Sequence, residues 1–299
     1  MSFLPISIFA YSLTAGAIIV DKILLAKALT HPAVYVFYIS ILGFAVIFLL
    51  PFGVQFNFFA VSFGILSGIF YNLALLTFFQ ALKQGEASIV TPVVGSLNPF
   101  FSLIIGTFFL GQILNNLQLL AFFIILSGTL ILTYNLISNL KLNHQLVLMI
   151  TAGFLFAISY ILLREAFLLS NFITGLTISR LAGGFFVLSF LFLPEIRRQI
   201  FASRVTHHHF INKTSLILFG GQFMGASSGL LITYAVFLAN PALVNSLFGM
   251  QYLVILAVAL FLAHEKRSKL LDENLTKGVL VQKILGVGIL SLGVYLLSK

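Results

Sequence analysis

Phe123-Ile-Ile-Leu-Ser-Gly-Thr-Leu-Ile-Leu132 is echoed by Val287-Gly-Ile-Leu-Ser-Leu-Gly-Val-Tyr-Leu-Leu297. Each stretch closes one half of the chain, and each lies in an apolar segment of membrane length. Working outward, five such segments fall in each half: 4–26, 33–50, 58–82, 86–110 and 116–136, then 146–168, 172–193, 215–238, 241–263 and 278–297. Runs of this length and character read as spanning helices. An odd number per half returns the second copy to the bilayer upside down. The expected fold is therefore an all-α integral membrane protein, with ten transmembrane helices as two inverted five-helix repeats, residues 1–140 and 141–299. Inverted repeats are the architecture of secondary carriers, whose sites lie near the midplane between the halves.

Composition points the same way. The chain is 60% hydrophobic and 8% charged, with mean hydropathy +1.14, against about 25% charged residues in a soluble domain. The apolar excess runs over the whole length, which leaves no room for a separate soluble domain. Lipid cannot satisfy bare backbone groups, so the segments must be helices or a closed barrel. A barrel would show short alternating strands, and the long Leu, Ile and Phe runs exclude it. There is no Cys, so redox logic says nothing of the compartment. Met1-Ser-Phe-Leu-Pro5 lacks the basic region of a secretory signal, and the first helix is expected to be retained.

Further echoes keep the same order along the chain. Ile39-Ser-Ile-Leu-Gly-Phe44 parallels Ile178-Ser-Arg-Leu-Ala-Gly183, and Phe109-Leu-Gly-Gln112 parallels Leu262-Ala-His-Glu265. That last register lays Asn98-Pro99 on Gln251-Tyr252.

The net charge is +9, and half of the 16 Lys and Arg fall in the loops around 195–214 and 264–277. The first reads as a short amphipathic segment on lipid headgroups. With ten spans both termini share one face, which collects only Arg164 and Lys299, while nearly all other Lys and Arg fall opposite. By the positive-inside rule the termini lie outside the cytoplasm. Basic loops on such a chain report orientation and anionic lipid, not nucleic acid.

Polar residues in apolar spans mark cavities or helix contacts. In the fourth span Ser88, Thr91, Gly95, Asn98 and Ser102 share one helix face. The ninth offers Asn245, Gly249 and Tyr252, with Gln251 beside them; the third offers Asn72; the eighth offers Gln222, Ser228, Thr233 and Tyr234. One reading is a substrate cavity walled by spans three, four, eight and nine. The other is hydrogen bonding between helices, worth about 0.6–2 kcal/mol each. Gly64 and Gly68, and Gly221, Gly225 and Gly229, have the four-residue spacing that lets backbones approach closely, and are read as packing residues.

Arg180 lies inside the seventh span, followed by Gly183 and Gly184. It reads either as a bidentate contact for a carboxylate or other anion or as a side chain that snorkels or caps helix carbonyls. The seven acids fall mostly at loops and helix ends. Asp21, late in the first span, is the proton-coupling candidate, and facilitated diffusion or exchange is equally open. His207-His208-His209 diverge as consecutive residues and do not suit a metal site, whose ligands are spaced wider. No Walker A motif and no His-Glu-xx-His occurs, and no titratable cluster at depth marks an enzyme. No cofactor or metal is expected.

The run Glu86-Ala-Ser-Ile-Val-Thr-Pro-Val-Val-Gly-Ser-Leu-Asn-Pro-Phe-Phe-Ser-Leu-Ile-Ile-Gly-Thr-Phe-Phe-Leu-Gly-Gln112, with Gln118 and Ile124-Ile-Leu-Ser-Gly128 after it, resembles the EamA-like branch of the drug/metabolite transporter superfamily. The shared pattern is a small-residue run, a mid-helix proline (Pro99), a Leu-Gly-Glu close and a glycine-ended next helix. Gln112 stands in place of that Glu, and Glu265 restores it in the second half. Arg180 resembles an Arg common early in the second helix of a repeat, where the first half has Ile41. The resemblance implies a ten-helix exporter of metabolites or drugs, with both termini in the cytoplasm, the reverse of the charge count.

The expected function is therefore secondary transport of a small metabolite or drug-like solute by alternating access. The solute would contact Asn72, Asn98, Arg180, Asn245, Gln251 and Tyr252. Its setting would be a cell membrane, such as a bacterial inner membrane, with lipid as the other partner and a monomer or homodimer as the unit. The rival is a non-transporting membrane protein, either a lipid-handling enzyme or a structural partner. A polar central cavity separates the two.

Overall fold

The computed structural model describes residues 3–25, 31–84, 87–111, 113–137, 144–202, 213–254, 257 and 277–298. They are helical almost throughout, with no strand among them. In chain order α1 is Phe3–Leu25, α2 Pro32–Leu42, α3 Phe58–Gln84, α4 Ala87–Leu110, α5 Asn116–Ile137 and α6 His144–Leu168. Then come α7 Phe172–Leu188, α8 Pro194–Ala202, α9 Lys213–Leu238, α10 Pro241–Ser246 and α11 Lys277–Leu297. α10 passes through a 3-10 turn at Leu247–Gly249 and is helical again over 250–254. Five stretches are long and apolar enough to cross a membrane: Pro32–Phe52, Phe58–Gln84, Val90–Phe108, His144–Leu168 and Phe172–Phe192. The outward surface is paved with Phe48, Phe56, Phe108, Phe192 and Phe223, all strongly exposed. An apolar exterior on this scale marks a surface that meets lipid or protein.

Helix starts follow local chemistry. Asparagine caps α3, α5, α7 and α10 by accepting from early backbone N–H groups, the usual cure for orphan donors. Asn57 Oδ1 accepts from Phe59 and Ala60, Asn171 Oδ1 from Thr174 at 2.8 Å, and Asn240 Oδ1 from Ala242 at 2.8 Å. Asn115 and Gln118 exchange side chain-to-backbone bonds of 2.7 and 3.1 Å, a reciprocal box with Gln in the usual acidic role. α2 tightens at Gly43 into a 3-10 helix of 10 residues, Gly43–Phe52. Such runs are usually three or four residues long. It ends at Gly53, whose φ of 101° requires a residue without Cβ. Pro92 and Pro99 sit inside α4 without ending it.

The 195–214 loop reads from sequence as holding an amphipathic segment, and α8 has that character. Ile200 is buried, whereas Glu195, Arg197 and Arg198 are exposed. Tyr38 Oη donates to the Ile200 carbonyl at 3.0 Å, tying α8 to α2.

The most extensive helix pairings all join a helix before residue 140 to one after it: α3 with α6, α5 with α11, α1 with α9, α3 with α7, and α4 with α6. The stretches that echo each other in sequence lie against each other in space. A Cβ on Gly128 would meet Leu290, and one on Gly293 would meet Ile125; Gly286 faces Leu132 in the same seam. Rising numbers on α5 meet falling numbers on α11, so the pair is antiparallel. The contact is also reciprocal, because each glycine touches the residue three before the other. The largest apolar cluster forms around this seam, with Tyr11, Phe122, Ile125, Leu247 and Leu290 at its centre.

Candidate functional site

A partly open cavity lies between the halves. Ile39, Ser40 and Gly43 come from the α2 segment and Ser67, Gly68, Tyr71 and Asn72 from α3. The far wall is Ser159, Tyr160 and Leu163 of α6, Ser179, Arg180 and Gly183 of α7, and Thr233 of α9. Helix α7 comes close enough to form this wall because α3 presents glycine to it. A Cβ on Gly68 would strike the Ser179 carbonyl and the Gly183 backbone, and one on Gly64 would strike Ile178.

Most of the polar groups in the cavity are occupied. Ser40 Oγ donates to Asn72 Oδ1, and Asn72 Nδ2 donates to the Gly68 carbonyl at 2.9 Å. Ser159 Oγ donates to the Ser67 carbonyl at 2.9 Å, and Ser179 Oγ to Leu176 O at 3.1 Å. Thr233 Oγ1 donates to Gly229 O at 2.7 Å and accepts a long bond of 3.4 Å from Arg180 Nη2. The Arg180 guanidinium carbon stands 5.0 Å above the Tyr71 ring, a cation–π distance. No described carboxylate pairs with Arg180, and none lines the cavity. A guanidinium has five donors and a permanent charge, so most of its capacity is unspent.

The predicted site residues separate into two groups. Asn72 and Arg180 meet in the cavity; Asn98, Asn245, Gln251 and Tyr252 do not line it. Asn98 Oδ1 accepts from Asn245 Nδ2 and from Ser102 Oγ, both at 3.3 Å, and Asn245 Oδ1 accepts from Tyr11 Oη at 3.4 Å. This chain of bonds ties α1, α4 and α10 together. The stripe on α4 thus meets other helices, and Gly95 abuts Phe248. Asn98 meets Asn245 in space, not its register partner Gln251. Gln251 is fully buried, and neither its amide atoms nor Tyr252 Oη finds a hydrogen bond among the described residues.

Two further expectations separate on geometry. Gly64 and Gly68 sit in a tight crossing with α7. On α9, Gly225 makes only ordinary contact with Ala17 at 3.6 Å, Gly229 faces open space, and Gly221 is buried. The carbonyl-capping role considered for Arg180 belongs to Arg164: its Nη1 donates to Val236 O at 3.0 Å and to Phe237 O, at the end of α9. Asp21 lies on α1, but its side chain and that of Gln222 fall outside what is described. So do His207, His208, His209 and Glu265.

Reading the sequence missed Tyr71, Tyr160, Ser40 and Ser159. Ser159-Tyr160 is a polar couplet inside the apolar run 154–163, and that was the available signal. The two halves are also tied where residues 53–55 meet the start of α7. Asn171 Nδ2 donates to Gly53 O at 2.9 Å, and the Gln55 N–H donates to Thr174 Oγ1 at 2.8 Å. Phe167, Phe172, Tyr234 and Phe237 pack their rings close by.

Comparison with known proteins agrees with this architecture. One solved structure, described only as "Crystal structure of protein", superimposes with a TM-score of 0.61 over 99% of this chain and 96% of that one, at 13% identity. At that identity the likeness speaks for the fold alone. No curated protein matches the sequence. The EamA-like transporter family matches residues 6–134, the region that carries α1 through most of α5. With several membrane-length apolar helices beside it, the chain is a multi-pass membrane protein whose residues 6–134 are similar to the EamA-like transporter family.

Proposed function

We propose that this protein is a secondary transporter, an exporter or exchanger, that moves a small solute by alternating access between two inverted five-helix repeats. The observation that carries this reading is the cavity around Arg180. Its walls come from α2 and α3 on one side of the chain's midpoint and from α6, α7 and α9 on the other. A site shared between halves changes exposure when one half rocks against the other. The reciprocal, antiparallel seam of α5 and α11 supports the inverted relation, because equivalent residues in copies related by a two-fold touch in exchange. The setting would be a cell membrane such as a bacterial inner membrane, with the basic loops in the cytoplasm.

The test is counterflow in proteoliposomes with solutes chosen by a thermal-shift screen of metabolites. Unlabelled solute inside should drive uptake of labelled solute, and absence of exchange for every stabilising solute would sink the carrier reading. Asp21→Asn in the same vesicles addresses coupling. Loss of pH-gradient-driven uptake with exchange intact would assign the proton to Asp21; unchanged uptake would remove it from that role.

A further inference from the structure

Resting on the reading of this cavity as the transport site, we infer that its solute is an organic monoanion, a carboxylate on a flat, largely apolar body, and not a zwitterion, cation or phosphate ester. The first argument is charge. Arg180 is the only ionisable cation or acid among the cavity's described lining residues. It spends one long hydrogen bond on Thr233 and one face on Tyr71. A cation at membrane depth without a counter-charge is costly, and an arriving anion removes that cost. Planar carboxylate matches the guanidinium fork bidentately.

The second argument concerns what is missing from the wall. A zwitterion or amine needs a carboxylate or several free acceptors for its ammonium group. No acid lines the described wall, the acceptors of Asn72, Ser67 and Thr233 are already engaged, and the hydroxyl lone pairs left on Ser40, Ser159 and Ser179 carry no net charge to offset an ammonium beside Arg180. A phosphate ester carries nearly two charges at neutral pH, and one Arg with no Lys or His among the described lining residues leaves the second unmatched. The third argument is shape. Tyr71 and Tyr160 meet edge to face at 6.3 Å between centroids, with Ile39 and Leu163 on the same lining. These surfaces suit an apolar or aromatic body behind the carboxylate.

The probes are benzoate, its neutral isostere benzamide, benzylamine, phenylalanine and phenyl phosphate, each titrated against the purified full-length protein by thermal shift and calorimetry. Benzoate is expected to bind and to raise the unfolding midpoint, with the other four weaker by about tenfold or more, the size of one charge-assisted contact. Arg180→Gln should weaken benzoate by about the same factor, while Arg180→Lys keeps part of it. Comparing the five probes on the unaltered protein needs no variant, so a misfolded Arg180→Gln leaves the test intact. The inference is overturned by equal binding of benzamide, by preference for benzylamine, phenylalanine or phenyl phosphate, by unchanged benzoate affinity in a folded Arg180→Gln, or by no benzoate binding at all. The two readings fail separately. Counterflow of a neutral or cationic solute would overturn the anion assignment and leave the carrier standing. Arg180-dependent benzoate binding with no exchange of any solute would do the reverse.

Discussion

Arg180 and Gly68 show how single residues set up the site. The arginine was legible in the sequence because a charge inside an apolar span needs a reason, and Asn72 stood out likewise. Tyr71 and Tyr160 did not, since aromatic residues are spread along the whole chain (34 Phe and 9 Tyr) and only the packing of α3 on α6 selects these two. Gly68 acts by absence: without a Cβ it admits the Ser179 carbonyl and so brings α7, and Arg180 with it, against α3. Gly68→Ala should lower the unfolding midpoint, with a cost of about 1–3 kcal/mol for overpacking against backbone that cannot yield. Gly229→Ala, facing open space, should leave the midpoint unchanged or slightly raised. Thermal unfolding of the two variants in detergent checks this, and equal effects would show that the α3–α7 crossing is not the close one.

At the scale of elements, composition reached further than pairing. Spans 33–50, 58–82 and 146–168 were readable because lipid demands helices of fixed length, and α2 with its 3-10 extension, α3 and α6 cover them. Which helices meet was not readable. The polar stripe of α4 suggested a cavity wall, yet Asn98 and Ser102 go to Asn245 and to each other. One polar face serves a helix contact as well as it serves a solute, and sequence spacing cannot tell them apart. Asn171 carries a prediction at this scale. Its Oδ1 caps α7 and its Nδ2 holds Gly53, so Asn171→Ala removes a cap and a tie between the halves. The expected cost is about 1–2 kcal/mol, read as a lower thermal unfolding midpoint in detergent. If Asn171→Ala unfolds at the parent's midpoint, these bonds do not stabilise that end.

For the whole molecule, the opening echo of 123–132 and 287–297 has become a physical contact, since the two copies pack antiparallel with glycine facing Leu290 and Ile125 in exchange. The cavity likewise takes its walls from both halves, from α2, α3, α6, α7 and α9. The reading as a carrier therefore depends on one claim: that this cavity opens to each face of the membrane in turn. The chain has no cysteine, so Ile39→Cys supplies a single thiol on the cavity lining. A separate Arg197→Cys variant, on exposed α8, serves as a marker of sidedness. In proteoliposomes treated with a membrane-impermeant thiol reagent, the cavity thiol should be labelled from either face, and a bound solute should slow both reactions. Labelling of the cavity thiol from one face only under every condition, while the α8 thiol reacts from its own side, would contradict alternating access.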